Sequence, residues 1–382
     1  MNPKVLYLSR DGQSPSHLAK LAGIRRYCST LGWEAEPVIR PEFTGGELAD
    51  ILGRHCPVGC VVDGVSRRVR LPPRLFGKIP VSYIGYPRGR TGNRPNFHFD
   101  TAEIAKTAFR ELSAGMPECY AAVGQPQNLP WSRQRVAAFR AIVHAVGAEC
   151  HTFQRRMRPI AEKREAFAKR LAAWIAGLPE HCAVFAVSDS VAVLVERAAR
   201  AAMRNIPRSL TLVSVDNFAE ICESADPPIS SIQLDFERMG FLAAAALGKT
   251  VPHGGIILVG PLLAVRRHST GGHGRHEPWI LEAVEMIRRE ACDGLSAADL
   301  AARFPFTRRL FDMRFREAVG RSPLDEILHV RLEKAQVLLS GTDTPVMAVP
   351  DFCGFSSYRA LDNLFRTRYG IGMLEWRRRN SR

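Results

Sequence analysis

Asp189 and Asp216 each follow an apolar run, Ala183–Val187 and Leu210–Val215, that reads as a buried strand. A carboxylate at the carboxyl end of such a strand is placed to accept hydrogen bonds from a small polar molecule, because open α/β sheets take ligands at that end. It is equally placed to cap the next helix, and both readings stay open. Arg135, on a helix expected over Ser132–Val146, offers complementary donors, and Trp131 offers a flat apolar face beside it. Asp63, which ends the run Gly59–Asp63, is a weaker candidate of the same kind. A hydroxyl-rich ligand needs such paired donors and acceptors, since an unmet buried polar group costs about 1–3 kcal/mol.

A second constellation lies near the C-terminus. Leu361, Leu364 and Phe365 share one face of a helix by their three- and four-residue spacing, which turns Tyr358, Arg359, Asp362, Asn363 and Arg366 outward. Arginine pairs with the edge of guanine, asparagine with that of adenine, and a flanking arginine grips phosphate. Arg359 and Asn363 are therefore expected to read bases and Arg366 to hold the backbone. An earlier helix, Thr307–Val319, presents Arg308, Arg309, Asp312 and Arg316 in the same way. The alternative is a merely solvated helix face.

Catalytic chemistry is not expected. There is no G-x-S-x-G elbow, Walker A loop, HExxH or G-x-G-x-x-G after the first strand. His151, His181 and His253 stand alone. The nine cysteines are odd in number and scattered, as expected of free thiols in a reducing compartment. Cys56 and Cys60 with His55 lack a second pair at ligand spacing, so neither metal nor cofactor is expected.

These residues need elements to hold them. A chain of 382 residues implies two or three domains, and 46% hydrophobic with 24% charged residues is a globular composition. No apolar run has the roughly 18–20 residues that span a bilayer, and the N-terminus runs straight into Val5-Leu6-Tyr7-Leu8, so a cytoplasmic location is expected. The net charge of +15 suits a nucleic-acid partner but does not locate it. Residues 1–276 hold 36 Lys and Arg against 23 Asp and Glu, and residues 277–382 hold 17 against 15.

Strands and amphipathic helices alternate over the first 266 residues, the mark of parallel α/β layers, and the length fits two lobes facing across a cleft. The polar, glycine-rich stretch 267–278 has linker composition. From 279 to 382 only helices are expected, seven in about a hundred residues, arranged as two helix-turn-helix units. Gly354 stands where a helix must end left-handed, Phe355 plugs the angle between two helices, and Ser356 or Ser357 caps the next one.

Leu300-Ala301, Thr307-Arg308-Arg309, Phe315-Arg316, Gly320-Arg321-Ser322-Pro323, Arg331-Leu332-Glu333-Lys334-Ala335, Cys353-Gly354-Phe355-Ser356-Ser357 and Tyr369-Gly370 keep their spacing over about a hundred residues. This segment resembles the DNA-binding domain of the AraC/XylS family. The resemblance implies that Arg309, Asp312 and Met313 face the major groove, and that the long helix carrying Arg331 spaces the two units. Three positions depart from the pattern. Pro305 replaces a turn glycine, Met373 replaces a proline, and Pro350 replaces a small residue inside a helix, where a kink is expected.

Upstream, Gly23-Ile24-Arg25-Arg26-Tyr27, Asp63, Trp131, Arg135, Phe139, Val187-Ser188-Asp189, Val213–Asn217, Pro227–Ile232 and Met239-Gly240 occur in the order of a periplasmic-binding-protein or LacI-type sensor. The combination resembles the xylose-operon activator group. It implies an activator that senses a small sugar through Arg135, Asp189, Asp216, Trp131 and Asp63, acts as a homodimer on promoter half-sites of double-stranded DNA, and engages RNA polymerase. Leu234, where the group has a polar residue, and the first strand's ending in Ser9-Arg10-Asp11-Gly12 favour an alternative. In that alternative the cleft is degenerate and the DNA binder is ligand-independent or triggered by a protein.

Overall fold

The computed structural model describes residues 2–65, 71–125, 129–153, 164–247, 255–271, 278–341 and 344–380. In chain order the elements are β1 (Lys4–Ser9), α1 (Pro15–Thr30), β2 (Glu34–Ile39), α2 (Gly45–His55), β3 (Gly59–Asp63), a 3-10 turn (Pro73–Phe76), β4 (Val81–Ile84) and β5 (Asn96–Phe99). Then follow α3 (Thr101–Ser113), β6 (Cys119–Val123), α4 (Pro130–Ala145), β7 (Cys150–Phe153), α5 (Arg164–Ala176), β8 (Cys182–Ala186), α6 (Asp189–Ala201), β9 (Leu210–Asp216), α7 (Ala219–Glu223) and β10 (Ser230–Leu234). After α8 (Phe236–Ala245), β11 (Ile256–Val259) and β12 (Pro261–Val265), the rest is helical: α9 (Pro278–Glu290), α10 (Ala297–Ala302), α11 (Arg308–Val319), α12 (Pro323–Gly341), α13 (Val349–Phe352), α14 (Tyr358–Tyr369) and α15 (Met373–Asn380).

The strands form two six-stranded sheets, ordered β11-β5-β4-β3-β1-β2 and β12-β10-β9-β8-β6-β7. The pairs β1 with β2 and β3, β3 with β4, β6 with β7 and β8, β8 with β9, and β9 with β10 are parallel. Only the edge strand β12 runs antiparallel to its neighbour β10 among these pairs. Strands β3, β6 and β8 are buried at every residue, as helices on both faces require. The α/β sheets followed by a helical domain agree with the expected fold class. Edge strand β2 escaped the sequence reading because Glu34, Glu36 and Pro37 interrupt its apolar pattern, and an edge strand tolerates both charge and proline.

The chain divides into two compact units, one of Met1–Asn96, Phe236–Ile256 and Pro278–Arg382, the other of Phe97–Asp235 and Ile257–Glu277. In the first unit α8 returns to pack on α1. A Cβ on Gly23 would lie 1.8 Å from Glu237 O, and one on Gly240 would lie 2.0 Å from Lys20 O. Two glycines thus let the helix backbones touch. α8 also meets the helical domain: Arg238 Nε lies 3.1 Å from Glu333 Oε1 of α12, and Glu237 pairs with Arg26 at 3.2 Å and with Arg288 of α9 at 3.9 Å.

In the second unit, residues 267–271 correct the expected linker. Arg267 and Ser269 are buried. Arg267 Nη1 donates to Asn217 Oδ1 (2.8 Å) and Ile229 O (2.9 Å), and Ser269 Oγ donates to Leu212 O (2.6 Å). A polar stretch can satisfy its donors inside a lobe as well as in water, and composition alone does not distinguish the two. The remaining expected linker, 272–277, lies outside the described residues.

Candidate functional sites

The second unit brings Arg135, Trp131 and Asp216 together at the carboxyl ends of β6, β8 and β9. Arg135 is buried, its Nη1 donates to Val187 O at 2.6 Å and lies 3.5 Å from Asp216 Oδ1, and its guanidinium sits 4.9 Å from the Trp131 ring centroid. Burial pulls the Arg135 pKa down, while Asp216 and Asp189 oppose that shift. Trp131 Nε1 is buried without a hydrogen-bond partner among the described residues. Asp216 and Asn217 have φ of 107° and 55°, so the turn that delivers Asp216 is held in a conformation that side chains disfavour.

Asp189 holds that turn. It is fully buried, and its Oδ1 accepts from Ser214 Oγ and from Ser231 Oγ (2.7 Å) while Oδ2 accepts Phe218 N at 2.7 Å. Burial pushes its carboxyl pKa up, against the three donors. Asp189, expected to touch a ligand, thus has both oxygens engaged within the lobe, and α6 is not capped by it: the N-cap is Ser188, without a side-chain bond. Gln125 Nε2 donates to Ser188 Oγ at 2.9 Å and to Ser190 Oγ at 3.2 Å, adding a polar group that sequence reasoning missed. Leu234 is buried, and its neighbour Gln233 accepts from Asn217 Nδ2 at 2.8 Å through Oε1.

In the first unit Asp63 is buried and engaged. Tyr7 Oη donates to its Oδ2 at 2.8 Å, Lys20 Nζ forms an ion pair with the same oxygen, and Val65 N lies 3.3 Å from Oδ1. His17 stacks on Tyr7 (4.8 Å between centroids) and lies 3.1 Å from Ser9 Oγ through Nδ1. Burial and the Asp63 charge push the Tyr7 phenol up, and burial with Lys20 pulls His17 down. Lys20 was legible in principle: it sits on the face of α1 shared by His17, Ile24 and Tyr27, one helical turn from each neighbour.

The helical domain holds two short helix pairs, α10 with α11 and α13 with α14, its first and second heads. Trp279, Phe304, Phe306, Phe311 and Phe315 form a chain of ring contacts that seats α11. Thr307 and Gly320 (φ 82°) cap its ends. Arg309, Met313 and Arg316 are exposed, whereas Arg308 Nε is held by Asp312 (2.8 Å). Ser357 and Gly370 (φ 77°) cap α14. Arg359 and Asn363 are exposed on it, Tyr358 is half-buried against the core of this unit, and exposed Arg366 pairs with Asp362 at 2.8 Å. Asp362 corrects the expectation of an outward side chain: it is buried, and its Oδ1 accepts Met373 N at 2.8 Å.

Pro350 does not kink the second head. Helix α13 begins at Val349, so proline occupies its first turn, where no backbone donor is required. Cys353 N and Phe355 N both donate to Pro350 O at 3.0 Å. A Cβ on Gly354 (φ 72°) would lie 3.0 Å from Cys292 O, so this turn packs against the first head. Arg331 of α12 fastens the two, donating to Ala291 O (2.7 Å) and Leu295 O (3.0 Å) while lying 5.5 Å from the Phe355 ring centroid.

Residues 112–270 match the model of the periplasmic binding protein-like domain, and residues 300–379 match that of a helix-turn-helix domain. The chain is 25% identical over 313 residues to the xylose operon regulatory protein of Escherichia coli K12, covering 79% of each. The solved structure of xylose-binding transcription activator xylR superposes with a TM-score of 0.57 at 22% identity, covering 99% of both chains. The transcriptional regulator CelR–cellobiose complex superposes over 70% of this chain and 84% of its own, with a TM-score of 0.54 at 19% identity. The chain joins a periplasmic binding protein-like domain to a helix-turn-helix domain, the make-up of a DNA-binding transcription regulator. It is homologous to the xylose operon regulatory proteins. No described helix is long and apolar enough to cross a membrane.

Proposed function

We propose that the chain is a transcription activator that binds a small sugar in the second unit and responds by changing its grip on promoter DNA. The grouping of Arg135, Trp131 and Asp216 carries this reading. A buried guanidinium and a carboxylate supply donors and acceptors for vicinal hydroxyls, and the indole face and its unpartnered Nε1 suit a ring with an apolar side and a polar edge. Asp189 positions the Asp216 turn from below. The xylose and cellobiose bound by the similar regulators support a sugar.

On the DNA, Arg309 and Met313 of α11 and Arg359 and Asn363 of α14 read base edges, while Arg316 and Arg366 hold phosphates. Arg308 and Asp312 act as a pair at the edge of the first head. The connector α12 spaces the heads so that one chain covers successive major-groove segments. Because Arg238 of α8 binds Glu333 of α12, movement in the first sheet's lobe reaches that connector. Ligand shifts this balance only by binding one state more tightly than the other. A homodimer doubles the contacted half-sites, and RNA polymerase is the partner that reads the outcome.

The degenerate-sensor alternative draws on Asp63, closed off by Lys20, and on buried Leu234. Thermal-shift titration of the full chain with pentoses, hexoses and sugar acids separates the readings. A sugar that raises the melting temperature of the wild type but not of Arg135→Gln supports sensing. No shift with any of them favours the alternative. Failure to bind any fragment upstream of its own gene at moderate salt would sink both.

A further inference from the structure

The buried stretch 267–271 reaches the residue beside Asp216. Arg267 Nη1 donates to Asn217 Oδ1 at 2.8 Å, and Asn217 Nδ2 donates in turn to Gln233 Oε1 at 2.8 Å. The two ends of an amide differ only in donating or accepting. A guanidinium donates and never accepts, so Arg267 decides which end of the buried Asn217 amide faces it. Gln233 stands in register with Asp216 on the neighbouring strand β10. Arg267, Asn217 and Gln233 thus form a brace around Asp216, one part on the turn after β9 and one on the strand beside it.

The turn needs holding. Asp216 and Asn217 follow one another with φ of 107° and 55°, a conformation that non-glycine residues keep only when their surroundings enforce it. Its backbone is held by two bonds, Asn217 N to Ser231 Oγ at 3.0 Å and Phe218 N to Asp189 Oδ2 at 2.7 Å. Its side-chain hold is the Arg267 brace. Relaxation toward the extended region would carry the Asp216 carboxylate away from Arg135 Nη1, 3.5 Å distant.

Arg267 is itself anchored to the two strands that flank the turn. Its Nη1 also donates to Ile229 O at 2.9 Å, and its backbone N donates to Ser230 Oγ at 2.7 Å. Two residues on, Ser269 N donates to Pro228 O at 3.0 Å and Ser269 Oγ to Leu212 O at 2.6 Å. A buried guanidinium is costly unless its donors are engaged, so this position is fixed by its partners.

We infer that Arg267 is a positioning residue of the effector site. It orients the Asn217 amide and through it holds the Asp216 carboxylate where a ligand hydroxyl meets it. The role rests on the effector reading of Asp216, whereas the brace is measurable without any ligand.

The ligand-free test is hydrogen exchange of the full chain, read by mass spectrometry. Arg267→Gln should speed exchange about tenfold or more at the amides of residues 217 and 218 and leave β6 and β8 at wild-type rates. Unchanged exchange at 217 and 218 overturns the inference. So does equal acceleration through β6 and β8, which would make Arg267 a packing residue of the whole lobe. The ligand test is calorimetric titration with D-xylose, D-glucose and cellobiose. For a sugar that binds the wild type, Arg267→Gln should raise the dissociation constant about tenfold. Asn217→Gly should do the same, since glycine keeps the left-handed turn but has no amide to orient. In the Asn217→Gly background, Arg267→Gln should add less than about threefold, because the two residues act through one contact. Wild-type affinity in Arg267→Gln, or losses that multiply in the double variant, overturns the inference. If none of the three sugars binds the wild type, that result counts against the effector reading, and the exchange rates alone decide the brace. Should Arg267→Gln fail to fold, Asn217→Gly carries the exchange readout at residue 218 and the titration.

Discussion

The backbone N–H of Met373 donates to Asp362 Oδ1 at 2.8 Å, so a buried carboxylate on α14 is satisfied by the first residue of α15. Asp362 Oδ2 is held by Arg366 at the same time, and these donors keep its carboxyl below the ordinary range despite burial. Proline, which the family pattern favours at 373, cannot supply this donor. Met373→Pro should therefore destabilise the helical domain by about 1–3 kcal/mol, the cost of an orphaned buried acceptor. Urea denaturation followed by tryptophan fluorescence measures it, and an unchanged or raised midpoint would contradict the assignment.

Asp189 and Asp216 should part company when each is made an amide. Asp189→Asn turns an acceptor for three donors into one with a misplaced NH2 group, and we expect a loss of about 2 kcal/mol in stability. Asp216→Asn should leave stability within about 0.5 kcal/mol and act on effector affinity instead. Melting curves with and without the active sugar distinguish the two. Equal stability losses would remove Asp189 from its supporting role.

Gly23→Ala should be among the most damaging small substitutions in the protein. Its Cβ would meet Glu237 O at 1.8 Å, a backbone atom that cannot step aside without separating α1 from α8. Overpacking of this kind costs about 1–3 kcal/mol or more. Gly32→Ala, whose Cβ would meet nothing within 4 Å, is a control for backbone strain alone, since Gly32 has φ of 66°. A smaller loss at Gly23 than at Gly32 would refute the close crossing.

His329 makes the stability of the first unit depend on pH. Burial, then Arg238, Arg321, Arg368 and Arg288, pull its pKa from 6.5 down to about 3, despite Glu333 at 3.5 Å. The unfolded chain takes up this proton and the folded one does not. The contribution is intact above about pH 6.5 and is lost progressively as pH falls toward about 3, by up to about 1.4 kcal/mol per pH unit. Replacing His329 with Gln should flatten that part of the stability profile. An identical pH slope in the variant is the negative result.

DNA contacts should sort by their response to salt. Arg316→Ala and Arg366→Ala remove phosphate contacts and should each lower the slope of log affinity against log salt by about one. Asn363→Ala should instead cost about 1–3 kcal/mol at one base position and relax the preference there. Binding measured across a salt series and a set of single-base operator variants reads both quantities. A loss at Asn363→Ala that is uniform across sequences, as at Arg366→Ala, would assign α14 to backbone contact only.

Much of this architecture was legible because local chemistry and global fold agree. Thr307, Gly320, Ser357 and Gly370 bound their helices as cap residues should, and β3 was bounded to the residue by its unbroken apolar run. The Arg135, Trp131 and Asp216 grouping was legible as positions but not as contacts, since Asp216 reaches Arg135 only through a left-handed turn. Asp189 reads in the sequence as a ligand contact or helix cap and Asp362 as an outward side chain, because burial with a full set of donors depends on Ser214, Ser231 and Met373 from distant strands or a later helix. Pro350 misled for the opposite reason: its effect turns on where a four-residue helix begins, a boundary that periodicity does not resolve.

The Gly23–Gly240 crossing also sets a schedule for biosynthesis. α1 finds its partner helix only after the whole sequence of β6 to β10 has been translated, which takes on the order of ten seconds or more at roughly 5–20 residues per second. Residues 97–235 form an unbroken stretch and can collapse as they leave the ribosome, whereas the buried face of α1 must wait. The nascent chain therefore carries an uncovered apolar helix through much of its synthesis, the kind of surface that chaperones bind.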